Sequence, residues 1–198
     1  MSLSLTRRQP IDPSYFGIAQ EDLPPMDQGR LDPRDWFKPA EGSDVPDTST
    51  KRPLELEIGS GKGTFLAQHA KLYPEVNFLG IEWAKSFYRY AADRARRHKL
   101  ENVRLLRCDA DLFIRHYVPD HTFSRVHIYF PDPWPKKRHH KRRLIQASFL
   151  RELHRVLLPA ETQAAVHIAT DHADYFDWMQ EHAAQVTDIF DRQPFVSP

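Results

Sequence analysis

From Pro53 onward, short apolar runs alternate with longer amphipathic segments, and this alternation restricts the fold more than any other feature. Leu54 to Ile58 reads as a strand, Gly59 to Gly63 as a tight loop, and Thr64 to Tyr73 as a helix with Phe65, Leu66, Ala70 and Tyr73 on one face. Val76 to Ile81 is a second strand. Lys85 to His98 is a second helix, in which Phe87, Tyr90, Ala91 and Ala95 can pack while Arg89, Arg94, Arg96 and Arg97 stay largely solvated. The pattern runs on through strand Val103 to Arg107, helix Ala110 to Tyr117, strand Arg125 to Phe130, helix Arg142 to Leu157, strand Ala165 to Ala169 and helix Ala173 to Gln185. Five strands separated by helices predict an α/β fold, a mostly parallel sheet with helices on both faces. Ligands of such sheets bind beyond the carboxyl ends of the strands, where strand order reverses.

The rest of the chain sets bounds. A length of 198 residues fits one domain with an appendage. Eight of the 16 prolines fall in the first 53 residues, among nine acidic residues and no sustained apolar period. Residues 1–50 are therefore expected to form a flexible Pro-rich acidic extension, and 51–198 the domain. Tyr15, Phe16, Trp36 and Phe37 interrupt the polarity of that arm; they either dock it onto the domain or help to cover a substrate. The single cysteine, Cys108, excludes an internal disulfide and a Cys-based zinc cage, and no metal site is expected. No apolar run approaches the ~20 residues of a membrane span, and Met1-Ser-Leu-Ser-Leu-Thr-Arg-Arg leads into Gln9-Pro10 and not into a signal-peptide core. A cytoplasmic setting is the expectation. The net charge of +1 argues against a uniformly basic coat, yet six of the 28 basic residues lie between Lys136 and Arg143.

The first strand ends in Glu57-Ile-Gly-Ser-Gly-Lys-Gly, with Gly59, Gly61 and Gly63 free to take positive φ and to admit a ligand close to the backbone. The third glycine comes one residue too early for a dinucleotide fingerprint, and Leu56 and Gly63 stand where a P-loop needs glycine and a hydroxyl. An S-adenosylmethionine site fits better. That cofactor brings no phosphate, so Glu57 can face its cationic end. Glu82, ending the second strand, can accept both ribose hydroxyls, and Asp109, after the third, can accept from the adenine amino group. For Glu82 or Asp109 taken alone, a helix cap or a solvated loop acid competes.

The fourth strand runs into Tyr129-Phe130-Pro131-Asp132-Pro133-Trp134-Pro135 and then the basic segment Lys136-Lys137-Arg138-His139-His140-Lys141-Arg142-Arg143. Three prolines stiffen the chain around Asp132, Trp134 offers a stacking or packing surface, and the cations that follow can grip phosphates. The fifth strand ends in Thr170-Asp171, where Asp171 either holds a base edge or caps the next helix.

Leu56-Glu57-Ile-Gly, Phe78-Leu-Gly-Ile-Glu82, Phe130-Pro-Asp-Pro-Trp134, the basic run and Ala169-Thr-Asp171 resemble the bacterial tRNA (guanine-N7)-methyltransferases, over about Leu54 to His172. The resemblance implies a Rossmann-like class I fold that uses S-adenosylmethionine to methylate N7 of a variable-loop guanine in tRNA. It further implies cofactor contacts at Glu57, Gly59, Gly61, Gly63, Glu82, Asp109 and Asp132, with Asp132 catalytic. Substrate contacts fall at Lys136 and Asp171, and tRNA contacts at Arg138, His139, His140, Lys141, Arg142 and Arg143. The family continues with further strands and a Thr-x-Phe/Tyr-Glu motif that contacts the guanine. This sequence ends at Phe195-Val-Ser-Pro198 without them, and Ala160 to Ala165 replaces a glycine-rich turn, so the sheet is expected to lack its C-terminal strands. Two other readings stay open: a catalytically impaired tRNA-binding homologue, and a small-molecule methyltransferase with a solvated basic face. Monomer and homodimer are both compatible with the sequence.

Overall fold

A computed structural model describes residues 11–13, 15–39, 47 and 51–193. The expectations for residues 1–10, 40–46, 48–50 and the terminal Phe195-Val-Ser-Pro198 lie outside them. The elements in chain order are β1 (Gly17–Ala19), β2 (Leu54–Ile58), α1 (Thr64–Leu72), β3 (Asn77–Ile81), α2 (Lys85–Arg97), β4 (Val103–Arg107), α3 (Ala110–His116), β5 (Arg125–Tyr129), α4 (Ala147–Val156), β6 (Ala165–Ala169) and α5 (Ala173–Ala183). All six strands are parallel, in the order β1-β4-β3-β2-β5-β6. The order reverses between β2 and β5, where Ile58 lies opposite Ile128. That reversal point is where ligands of such sheets bind.

Side chains alternate across the sheet with the two-residue period of a strand. Leu54, Leu56 and Ile58 of β2, Leu79 and Ile81 of β3, Leu106 of β4, and Val126 and Ile128 of β5 pack against Phe113, Phe149, Leu153 and Tyr175 from α3, α4 and α5. Phe78 and Leu105 point the other way, into a second core with Leu66 and Ala70 of α1 and Ala91, Ala92 and Ala95 of α2. On α2 the packing face is turned by one residue from the expected one. Tyr88 is buried and Phe87 exposed, because Tyr88 lies against the backbone of Gly17 in β1.

β1 belongs to the segment expected to be a flexible arm. Residues 15–39 dock along the β4 edge of the sheet. The Leu105 amide donates to the Phe16 carbonyl at 2.7 Å, and Phe16 is 4% exposed within the second core. Buried Arg104 donates to the Trp36 carbonyl at 2.9 Å, and its guanidinium stands over the rings of Tyr15, Phe16 and Phe37. Trp36 stacks on Phe113 at 5.9 Å. Proline and acidic content gave the arm no helix or strand period of its own, but four aromatics supply enough apolar surface to hold it. Phe16, Trp36 and Phe37 thus pack onto the domain, as one of the two expectations had it, while Tyr15 is 63% exposed.

The β5–β6 half of the α1 face is polar. Glu55 accepts from Arg125 at 3.0 Å and contacts His127 Nε2 at 2.8 Å, and the His127 and His167 rings stack at 5.1 Å. Burial pushes the Glu55 carboxyl up, but its bonds to His127 and Arg125 outweigh this and hold it below its ordinary value. In place of the expected glycine-rich turn before β6, Gln163 itself takes the left-handed conformation, at φ 59°. Among the described residues, no helix is long and apolar enough to cross a membrane.

Candidate active site and nucleic-acid interface

The loop after β2 bends back on β3: the Gly59 and Ser60 amides both donate to the Ile81 carbonyl, at 2.9 and 3.0 Å. Gly59 and Gly61 have φ of 78° and 52°, and a Cβ at either would meet no atom within 4 Å, so their backbone faces open space. Gly63 has a different task. It starts α1 in the left-handed conformation, and a Cβ there would come within 2.9 Å of the Ala91 Cβ, so its missing side chain lets α1 and α2 meet.

Glu82 supports this loop directly. One carboxylate oxygen accepts from the Gly61 amide and the other from the Ala84 amide, both at 2.8 Å. An ionised carboxylate has about four acceptor positions, so two remain for a ligand. Glu57 is the opposite case. It is 6% exposed, its Oε2 is buried with no hydrogen-bond partner, and burial together with the Glu82 charge pushes its carboxyl up to about 8. The Ser60 hydroxyl of the same loop is likewise buried and unpartnered. Asp109 caps α3 by accepting from the Leu112 amide at 2.9 Å, and it is exposed. Its second oxygen stays available at the rim of an open cleft of about 310 Å³, which Lys141 and Arg142 line from the other side.

Beyond β5 the chain is forced into an uncommon path. Phe130 and Trp134 have φ of 52° and 44°, and between them Pro131, Asp132 and Pro133 carry the acid out to solvent. Non-glycine residues rarely take such angles, and they do so mostly where the surroundings impose them. The Phe130 amide donates to the Ala169 carbonyl at 2.8 Å, which ties this loop to the β6 end that carries Asp171. Asp171 does not cap α5; His172 does, its Nδ1 accepting from the Tyr175 amide. Asp171 is exposed at the rim, on the β6 side of Asp132.

The basic run divides in a way its composition does not show. Lys137–Arg142 is a 3₁₀ helix, not the start of α4, and at three residues per turn positions i and i+3 share a face. His140 and Arg143 turn inward, the first edge-on to Trp178 and the second 1% exposed. His139 and Arg142 lie on Trp134, the guanidinium 5.0 Å from the indole centroid. Arg138 and Lys141 point to solvent, as do Lys136 and Lys137 before them. Arg143, expected to contact tRNA, is therefore not accessible to it: the apolar Leu144-Ile145 that follows draws it into the core. Its partner Asp174 went unrecognised in the sequence, because nothing local links positions 31 residues apart. Phe130, 65% exposed beside Asp132, was likewise not singled out as a site residue.

A family model described as "Putative methyltransferase" matches residues 51–193. A tRNA (guanine-N(7)-)-methyltransferase of Halorhodospira halophila is 38% identical over 163 residues, covering 78% of this chain and 69% of that protein. Proteins of the same description from Corynebacterium diphtheriae and Geobacillus kaustophilus are 36% and 42% identical, and the chain covers 58% and 65% of their lengths. The chain thus spans between about half and two thirds of most such relatives. Among solved structures, a precorrin-6y C5,15-methyltransferase from Geobacter metallireducens superposes with a TM-score of 0.54 at 14% identity, over 77% of this chain and 76% of that one, a likeness of fold.

Proposed function

The chain belongs to the tRNA (guanine-N7)-methyltransferase family, and from that premise we propose that it methylates N7 of a variable-loop guanine in tRNA, in the cytoplasm, using S-adenosylmethionine. The observation that carries the reading is the buried, unpartnered carboxylate of Glu57 at the strand-order reversal. An acid hidden from water without a cation is costly, and a ligand with a positively charged end relieves that cost where a phosphate would raise it. Glu57 and Glu82, with the open backbone of Gly59 and Gly61, would hold the cofactor, and Asp109 would hold its far end. When bound, S-adenosylmethionine supplies an electrophilic methyl group.

Guanine N7 has an exposed lone pair and no proton to lose, so this chain need not provide a general base. The ring becomes cationic as the new bond forms. Asp132, fixed by its two flanking prolines, stabilises that charge by proximity. Lys136 and Asp171 flank it and orient the base, while Lys137, Arg138 and Lys141 attract the phosphates. Arg142 and His139 reach the RNA from their seat on Trp134.

Asp132→Asn keeps the shape of the loop and removes the charge. The expected outcome is a loss of at least a hundredfold in methyl transfer to unmodified tRNA, followed by mass spectrometry of nuclease digests, with cofactor affinity retained. Unchanged turnover would remove Asp132 from the chemistry.

A further inference from the structure

Arg143 ends a run of cations and yet is 1% exposed. A guanidinium out of reach of water must recover its hydration through hydrogen bonds and charge. Its Nε donates to the Pro133 carbonyl at 2.8 Å, one terminal nitrogen pairs with the Asp174 carboxylate, and the other lies 3.5 Å from the Asp174 carbonyl. The planar group also stands over Tyr175 and Trp178, 4.9 and 5.3 Å from their ring centroids. These contacts join two segments that flank the mouth of the site: the Pro131-Asp132-Pro133 loop after β5, and the first turn of α5, just beyond Asp171.

The loop needs an outside anchor. Prolines 131, 133 and 135 have no amide hydrogen to donate. Of the remaining amides, that of Phe130 bonds to Ala169, while those of Asp132 and Trp134 have no partner among the described residues. Past Phe130, the loop is therefore held through an acceptor, the Pro133 carbonyl, by a donor from elsewhere.

We infer that Arg143 is a positioning residue, which clamps the Asp132 loop to the start of α5 and so sets Asp132 against Asp171. The fork of the guanidinium is essential to this, because its nitrogens donate in fixed directions to the Pro133 carbonyl and the Asp174 carboxylate while its plane lies over Tyr175 and Trp178, whereas a lysine ammonium puts freely rotating donors at one point and has no plane to stack. The role rests on the methyl-transfer reading of the site, and it departs from the tRNA contact that resemblance to the family assigns to this position.

The test uses the full chain with Arg143→Lys and Arg143→Gln, and Lys141→Ala as the reference for a phosphate contact. Three experiments are run: tRNA affinity across a salt series, steady-state methyl transfer for kcat and KM, and hydrogen exchange in a peptide covering residues 128–137. Both Arg143 variants are expected to lose at least tenfold in kcat, with KM for tRNA within twofold, the parent's salt dependence, and faster exchange in the loop. Lys141→Ala should lower the slope of log affinity against log salt by about one. A comparable fall in Arg143→Gln would make Arg143 a phosphate contact and overturn the clamp. Parental turnover in Arg143→Lys, assayed well below its unfolding midpoint, or unchanged loop exchange, would overturn it too. If Arg143→Gln does not fold, Arg143→Lys decides. If the parent methylates no tRNA, the function reading fails, and the exchange rates alone decide on the clamp.

Discussion

Replacing Glu57 by glutamine removes a titratable group that the free protein holds in an unfavourable place. In the folded chain its carboxyl is pushed up to about 8, first by burial and then by the Glu82 charge, whereas in the unfolded chain it returns to about 4.5. Between those values the folded state binds a proton that the unfolded state has lost, so the contribution of Glu57 to stability falls as pH rises from about 4.5 and levels off above about 8. At pH 7 the unfolded chain's carboxyl is about 2.5 pH units above its midpoint. At 1.36 kcal/mol per unit, refolding with a protonated Glu57 then costs roughly 3 kcal/mol. Glu57→Gln, which never ionises, should be more stable by about that amount at pH 7, or about 6 to 12 °C in midpoint for a domain of this size. The gain should shrink to a few tenths of a kcal/mol near pH 4.5. Thermal and urea unfolding of the cofactor-free parent and variant at pH 5, 6, 7 and 8 measure this directly. Titration calorimetry with S-adenosylmethionine on the same samples should show at least a tenfold loss of affinity in the variant, because the cofactor's cation loses its counter-charge. A variant no more stable than the parent from pH 6 to 8 would refute the assignment, since it would mean that Glu57 is solvated or paired in the folded protein.

Two further outcomes separate packing from binding. Gly63→Ala should destabilise the fold by about 2 kcal/mol or more, because its Cβ meets Ala91 at 2.9 Å and its φ is 66°; Gly59→Ala, strained at φ 78° but with open space around it, should be less destabilised and should lose cofactor affinity as well, and equal midpoints in the two variants would contradict this division. Phe16→Ala should cost about 3 kcal/mol in urea unfolding by emptying a buried site between β1 and α2; an unchanged midpoint would mean that residues 15–39 are a loose appendage after all.

Strand periodicity made the sheet legible to within a residue at most strand ends. Leu54 to Ile58 and Val103 to Arg107 are apolar enough to be buried on both sides or to alternate, and either pattern marks a strand. The placement of the candidate acids was legible for a related reason, since topology puts strand ends at one rim whatever the loops do. The docked arm was not legible. Gly17–Ala19 spans three residues, too short for any period, and its pairing with β4 depends on Phe16 and Trp36 finding partners about 90 and 80 residues away. Nor was the face of α2: Phe87 and Tyr88 are neighbouring aromatics, and the more polar of the two is the one buried because it lies against Gly17 across the sheet edge.

The basic run shows why charge density in a sequence does not measure a binding surface. Six cations between Lys136 and Arg143 could present anything from a fully exposed comb to a mixed face, depending on the local helical period. A 3.6-residue period would have spread them around α4. The observed 3₁₀ turn instead sorts residues 138–143 into three rows of period three: Arg138 and Lys141 to solvent, His139 and Arg142 onto Trp134, His140 and Arg143 into the protein. With Lys136 and Lys137, four cations remain fully available to phosphates, and a fifth, Arg142, is steered by an aromatic ring. The inward row is not wasted charge. It occupies the space between the Asp132 loop and α5 with a group whose geometry is fixed, so that in the proposed function one short segment would grip the RNA backbone with its outer row and hold the reacting loop with its inner one.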